Sequence, residues 1–169
     1  MASETGNSKL VTIRSCPGFP VNTYESIECQ LNKEPFTINP QEGCFFFISD
    51  WRTFTIPDDV IIIGIENMEN FRKVRQQRVF FNGHSKKVLF VSRYPQSTDL
   101  REWLVTIPNP YIHFGDFDLA GIHIFLSEFQ KHLGTERTSF LIPEDISSRL
   151  RYGSTRRYNE QYARYKDIK

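Results

Sequence analysis

The chain has 169 residues, of which 39% are hydrophobic and 24% are charged, and its formal net charge is +1 at pH 7. This composition is ordinary for one globular domain with an extension. No apolar run approaches the roughly 20 residues of a membrane span, and the N-terminus lacks the basic and apolar parts of a signal peptide. We therefore expect no membrane partner and a cytoplasmic location.

The N-terminal third is predicted to be rich in β-structure. Residues 1–9 are polar and are expected to be disordered, while residues 10–57 alternate short β-rich segments with turn signals. This pattern predicts a small β-rich arm or subdomain. The phenylalanines at 45–47 and Trp51 either pack inside the chain or form a partner surface.

Three cysteines also lie in this region. Cys16, Cys29 and Cys44 are odd in number and lack CxxC spacing. We expect them to be small buried or half-buried side chains in a reducing compartment.

The strongest strand signal is the run VIIIGIE at residues 60–66, whose β-branched side chains predict a buried strand. Glu66 ends this run, and apolar residues then recur at helical spacing from 68 to 74. An acidic side chain is thus predicted at a strand-to-helix turn. The same helix carries four basic residues between 72 and 78, which form either a solvated face or a contact for a phosphate backbone.

Two further strands are predicted at residues 88–91 and 139–142. Strands that alternate with helices indicate a mostly parallel sheet, in which ligands bind beyond the carboxyl ends of the strands. Arg93 follows one such end, where it is able to fork onto a phosphate or to brace a carboxylate. An ion pair with Glu66 or with an acidic loop residue is the structural alternative.

The segment YIHFGDFDLAGIHIFLSEF at residues 111–129 combines a short apolar strand, an acidic turn and a helical apolar pattern. Asp116 and Asp118 lie in the turn, and carboxylates two positions apart on an extended backbone point the same way. Asp118 is also a good N-cap for a helix that begins near Leu119. By strand alternation His113 projects opposite its neighbours, which favours a structural or supporting role.

Two interpretations of the acidic pair stand side by side. In the first, Asp118 caps the helix and Asp116 is a solvated turn residue. In the second, the pair binds a hard divalent cation, Mg2+ or Mn2+, and Glu66 supplies a third carboxylate. The second interpretation requires Glu66 and the acidic turn to meet at one edge of the sheet.

These motifs resemble the Toprim domain of topoisomerases, primases and certain nucleases, which is marked by a lone Glu followed by a DxD pair. The stretches IENMENF, SRYP and HFGDFDLAGIHIF are most similar to the topoisomerase VI A subunit and to JetD-like nuclease subunits of Wadjet plasmid defence. The resemblance implies an α/β, Toprim-like (Rossmann-like) fold, with a mostly parallel sheet flanked by helices and a small β-rich N-terminal extension. The Toprim domain would cover residues 58–148.

The resemblance further implies metal-dependent endonuclease cleavage of DNA, as the nuclease part of a plasmid or phage defence system. Glu66, Asp116 and Asp118 would be catalytic metal ligands, and Arg93 and His123 would bind the substrate. The implied partners are DNA, SMC-like defence proteins or a separate DNA-binding module, and a second copy in a homodimer. The alternative is a non-catalytic Toprim-like module that binds nucleic acid or protein.

The tail at residues 149–169 carries seven basic and two acidic side chains, whereas the rest of the chain is net negative. Tyrosines at 158, 162 and 165 recur at helical spacing, which predicts a basic C-terminal helix. Its tyrosine stripe is expected to dock on the core, and its basic face is suited to follow a nucleic-acid backbone.

Overall fold

The structure is a computed structural model that describes residues 16–40, 43–76, 87–94, 97–142 and 162. Its elements, in chain order, are strands β1 (Phe19–Thr23), β2 (Ile27–Leu31), β3 (Glu34–Ile38), β4 (Phe46–Ile48) and β5 (Ile61–Ile65), helix α1 (Met68–Arg72), strand β6 (Val88–Ser92), helix α2 (Ser97–Thr106), strand β7 (Tyr111–Phe114), helices α3 (Leu119–Ile124) and α4 (Lys131–Leu133), and strand β8 (Thr138–Phe140). A π-helical segment at Phe125–Gln130 joins α3 to α4, and a 3-10 turn covers Trp51–Thr53.

Six strands form one sheet in the order β4-β1-β6-β5-β7-β8. Strands β6, β5, β7 and β8 pair in parallel, whereas β1 pairs antiparallel with both β4 and β6. The expected α/β architecture with a mostly parallel sheet is confirmed. The neighbours of β5 are β6 on one side and β7 on the other, so the strand order reverses between β5 and β7. Open α/β sheets bind ligands at such a reversal point.

Apolar side chains cover both faces of the sheet, as expected for parallel strands. Ile62 packs into a cluster that includes Trp103 of α2. Ile63 points the other way, into a second cluster that contains Phe71 and Val74. The apolar pattern between 68 and 74 therefore packs α1 and the residues just after it against the second face.

The N-terminal region contributes more to the main sheet than its sequence indicates. β1 lies between β4 and β6 although it contains Pro20, a residue that normally marks an edge strand. Pro20 is the register partner of Phe47 in β4, whereas pairing with β6 begins only at Val21, so the proline lies outside that second ladder. β2 and β3 form a separate two-stranded hairpin.

The aromatic residues before β5 differ in their burial. Trp51 is buried, so it packs within the chain. Phe46 contacts Phe36 with ring centroids 5.6 Å apart. Phe45 and Phe47 are 42% and 38% exposed, although the ring of Phe45 also lies edge-on against another phenylalanine.

The three cysteines are all free thiols. Cys29 is buried in β2, as expected, but Cys16 and Cys44 are exposed, so the expectation of buried or half-buried side chains is wrong for those two. Both exposed cysteines lie outside strands, where neither face of a sheet covers them.

Two predicted segments lie almost wholly outside the described residues. These are residues 1–9, predicted to be disordered, and the basic helix at 149–169, of which Tyr162 alone is described, as an exposed helical residue. No helix in the described part of the chain is long and apolar enough to cross a membrane.

Candidate functional site

Glu66 and the acidic turn follow directly after the carboxyl ends of two adjacent strands. In the parallel pairing of β5 with β7, Ile65 lies opposite Phe114. The backbone N–H of Glu66 donates to the carbonyl oxygen of Phe114 at 3.0 Å, which extends the ladder by one residue. The structure therefore brings Glu66 beside the turn that carries Asp116, at the point where the strand order reverses.

The Glu66 side chain is 18% exposed and has an unusual polar environment. Its Oε2 is buried and has no hydrogen-bond partner among the described residues. Burial raises the pKa of this carboxyl, but the adjacent His113 ring and the Arg93 guanidinium both lower it. The backbone N–H of Asp116, which donates to the carboxylate, lowers the pKa further, and the net result is a pKa below the ordinary value.

The two aspartates of the turn have different environments. Asp118 is the N-cap of α3, and its Oδ1 accepts a hydrogen bond of 2.9 Å from the backbone N–H of Gly121. The prediction of a cap before Leu119 is confirmed. Asp116 is exposed, while Asp118 is half-buried. A carboxylate has several acceptor sites, so the capping bond to Oδ1 alone does not exclude a second role for the Asp118 side chain.

The described residues contain no group of three or more His, Cys, Asp and Glu side chains that could hold a metal ion. The donor types nevertheless fit a hard cation, because the edge presents carboxylate oxygens and Oε2 of Glu66 lacks a partner in the described structure. Mg2+ keeps several water ligands and commonly uses one or two protein carboxylates. Glu66 and Asp116 are therefore the first candidate ligands, and Asp118 is a third.

Arg93 follows β6 on the same edge of the sheet. Its Nη1 lies 3.4 Å from Oε2 of Glu128, and both side chains are 29% exposed. Arg93 thus forms an ion pair, but the expected partner is wrong, because Glu128 lies in the π-helical segment and is neither Glu66 nor a loop residue. His123, the other predicted substrate contact, lies in the last turn of α3 and is half-buried.

The basic residues after Phe71 resemble a solvated face. Arg72 and Lys73 both form ion pairs with Glu69, at 3.4 and 2.7 Å, and all three side chains are more than half exposed. Such exposed pairs contribute little to stability and exchange readily with other charges. Of the four basic residues, Arg78 lies outside the described structure.

Sequence reasoning did not assign Tyr111 to the site. Its hydroxyl lies 2.9 Å from Nδ1 of His113, whose Nε2 in turn lies 3.6 Å from Oε2 of Glu66. His113 is buried on the opposite face from Ile112 and Phe114, as strand alternation predicts. The same alternation places Tyr111 on the face of His113, and this was the signal that could have linked the two residues.

No protein-family model and no characterised protein matches the chain.

Proposed function

We propose that the chain is a divalent-metal-dependent DNA endonuclease with a Toprim-like fold. The observation that carries this proposal is that Glu66, directly after β5, lies beside the acidic turn that follows β7, since the backbone N–H of Glu66 donates to the carbonyl oxygen of Phe114 at 3.0 Å. A lone glutamate and a DxD pair on neighbouring parallel strands is the arrangement that the sequence resemblance implies. The reversal of strand order at that point adds support, because it favours ligand binding there.

The carboxylates of Glu66, Asp116 and Asp118 would hold Mg2+ or Mn2+. When bound, the cation neutralises charge that develops on the phosphate in the transition state. The lowered pKa of Glu66 keeps this side chain ionised at neutral pH. An ionised Glu66 suits a metal ligand or a general base that accepts a proton from the attacking water, and it does not suit a general acid.

Arg93 is the candidate for substrate binding. Its contact with Glu128 is long at 3.4 Å and partly exposed, so a phosphate of the substrate competes with this carboxylate for the guanidinium on favourable terms. His123 in α3 is the second candidate. The proposal includes DNA as substrate, a cytoplasmic location, and either a homodimer, SMC-like defence proteins or a separate DNA-binding module to hold the DNA.

The test is a cleavage assay on supercoiled and linear plasmid with Mg2+ or Mn2+. Wild type should nick or cut the plasmid, and Asp116→Ala should lose about 100-fold or more of the rate, because cation stabilisation is worth several kcal/mol. The matched control is Asp59→Ala, since Asp59 is an exposed carboxylate just before β5, at the other end of that strand. Cleavage that persists in EDTA, or that Asp116→Ala retains in full, would refute the proposal.

The second candidate is a non-catalytic Toprim-like module that binds nucleic acid or protein, the alternative that the sequence resemblance leaves open. Fluorescence anisotropy with labelled duplex DNA separates the candidates when it is run beside the cleavage assay. A folded wild type that binds DNA and cuts neither plasmid with either cation would favour the binding module.

A further inference from the structure

His113 is a buried histidine whose two ring nitrogens face two different polar side chains. Its Nδ1 lies 2.9 Å from the hydroxyl oxygen of Tyr111, and its Nε2 lies 3.6 Å from Oε2 of Glu66. The residue is only 1% exposed. Three phenylalanine rings surround it with centroids 5.1–5.7 Å from its own, namely Phe125, Phe129 and Phe140.

Hydrogen-bond accounting selects one tautomer of this ring. Tyr111 is buried, and its hydroxyl proton needs an acceptor, which Nδ1 of His113 provides. A proton on Nδ1 would leave the hydroxyl proton without that acceptor and would turn the lone pair of Nε2 toward the Glu66 carboxylate. A proton on Nε2 makes both contacts attractive, because the hydroxyl then donates to Nδ1 and Nε2–H faces a carboxylate oxygen.

Two glycines make room for the row of side chains formed by Tyr111, His113 and Glu66. A Cβ atom on Gly64 would overlap the Tyr111 hydroxyl. A Cβ atom on Gly115 would lie 2.7 Å from both Oε2 of Glu66 and Nε2 of His113. A larger residue at either position would therefore force the row apart.

We infer that His113 is a positioning residue for Glu66. Held by Tyr111 in the Nε2-protonated tautomer, His113 restrains the Glu66 carboxylate at the edge of the sheet where β5 and β7 end. The present separation of 3.6 Å exceeds a hydrogen-bond length, and a movement of about 0.6 Å closes it to a normal one. Active-site hydrogen bonds are commonly long in the free enzyme and tighten with substrate. The inference rests on the proposed function only in what it says about cleavage.

The first test needs no cleavage. 15N NMR of the histidine side chains in the full chain, with the His113 resonances assigned by through-bond correlation, reports which ring nitrogen carries the proton. We expect the Nε2-protonated tautomer in wild type at pH 7. We also expect Glu66→Gln to shift the Nε2 resonance and Tyr111→Phe to shift the Nδ1 resonance. An Nδ1-protonated ring, or an Nε2 resonance unchanged by Glu66→Gln, overturns the inference.

The second test is kinetic and compares two replacements of His113. His113→Phe keeps an aromatic ring among the phenylalanines but removes both nitrogens, and we expect kcat to fall about 10- to 100-fold with KM little changed. His113→Gln offers an amide N–H to Glu66 and a carbonyl oxygen to Tyr111, and it should recover most of the lost rate. His132→Phe, at an exposed position, is the matched control and should behave as wild type.

The two readouts separate failure of this inference from failure of the proposed nuclease. A wild type that cuts no DNA but shows the Nε2-protonated ring responding to Glu66→Gln refutes the nuclease and supports the role of His113. A protein that cuts DNA equally well with His113→Phe, or that carries the Nδ1-protonated ring, refutes the role of His113 while the nuclease stands. If His113→Phe does not fold, the wild-type tautomer and the response of its Nε2 resonance to Glu66→Gln decide the question together.

Discussion

Gly121 packs directly against the backbone oxygen of Asp116. A Cβ atom at Gly121 would overlap that oxygen, and the next nearest atoms also belong to the backbone of Asp116. Backbone atoms have little freedom to move aside, so the first turn of α3 and the acidic turn approach this closely only with glycine at position 121. The position of the acidic turn thus depends on a residue that carries no functional group.

Replacing this glycine should displace the turn without removing any carboxylate. We expect Gly121→Ala to lower the free energy of unfolding by about 1–3 kcal/mol through steric overlap. We also expect it to weaken metal-dependent cleavage strongly. Urea unfolding and the plasmid assay measure the two effects.

The matched control for this change is Ala120→Gly in the same turn of α3. It should cost about 1 kcal/mol of stability through helix propensity but create no overlap, so cleavage should be retained. Equal cleavage by Gly121→Ala and Ala120→Gly at saturating Mg2+ would contradict a role for the close packing.

The lowered pKa of Glu66 predicts how stability depends on acid. A carboxyl whose pKa is lower in the folded state stabilises the protein above its unfolded value, taken as 4.5, and this contribution is lost as the pH falls through the folded value. Wild type should therefore lose more stability than Glu66→Gln between pH 5 and pH 3. Urea midpoints across this range measure the difference, and parallel profiles would show that Glu66 is not stabilised as an anion.

The thiols differ in their predicted reactivity. Burial, with a smaller contribution from Glu28, raises the pKa of Cys29 from 9.0 to about 12. In the native protein an alkylating reagent should modify Cys16 and Cys44 rapidly and Cys29 only after unfolding. Mass spectrometry of the alkylated protein with and without urea measures this difference, and fast alkylation of all three native cysteines would contradict the burial of Cys29.

The same shift predicts a loss of stability in alkali. A thiol whose pKa is raised on folding stabilises the protein below its unfolded value, and the contribution disappears as the pH rises through the folded value. The free energy of unfolding of wild type should therefore fall between about pH 9 and 12, and that of Cys29→Val should fall less.

The sequence predicted the strands that carry strong local signals and missed those that depend on their neighbours. The β-branched run of β5 identifies it without reference to any partner. β1 carries a proline, and it fits inside the sheet because its pairing with β6 begins only at Val21, after the proline. Hydrophobic periodicity does not encode this register. The partner of Arg93 was missed for a similar reason, because Glu128 comes close only through the packing of a helix against the sheet.

The candidate site also has some features that follow from local sequence and others that depend on strand pairing. The cap formed by Asp118 and the place of Glu66 at the end of a strand follow from local patterns. The row from Tyr111 through His113 to Glu66 depends on the register between β5 and β7, in which Gly64 lies opposite His113. A slip of one residue would turn these side chains to the other face, so the row could be recognised only from the paired strands.

Phe129 links the helix after the acidic turn to this row. Its ring is fully buried, stacks on Tyr111 with centroids 4.9 Å apart, and lies 5.1 Å from the ring of His113. Phe129→Ala should lower the free energy of unfolding by about 3–5 kcal/mol, because it leaves a cavity. It should also loosen His113 and reduce the rate of cleavage below what the loss of folded protein explains.

Leu133→Ala supplies the control for that second effect. Leu133 is buried one turn further along the same helical stretch. Its truncation should lower the free energy of unfolding by about 2–5 kcal/mol. Its removal should leave kcat per folded molecule unchanged, because the rings of Tyr111 and His113 keep their packing against Phe129. Unfolding curves and single-turnover rates at a temperature where both variants are folded provide the comparison. If the two variants reduce cleavage equally, Phe129 acts through global stability and not through the row that restrains Glu66.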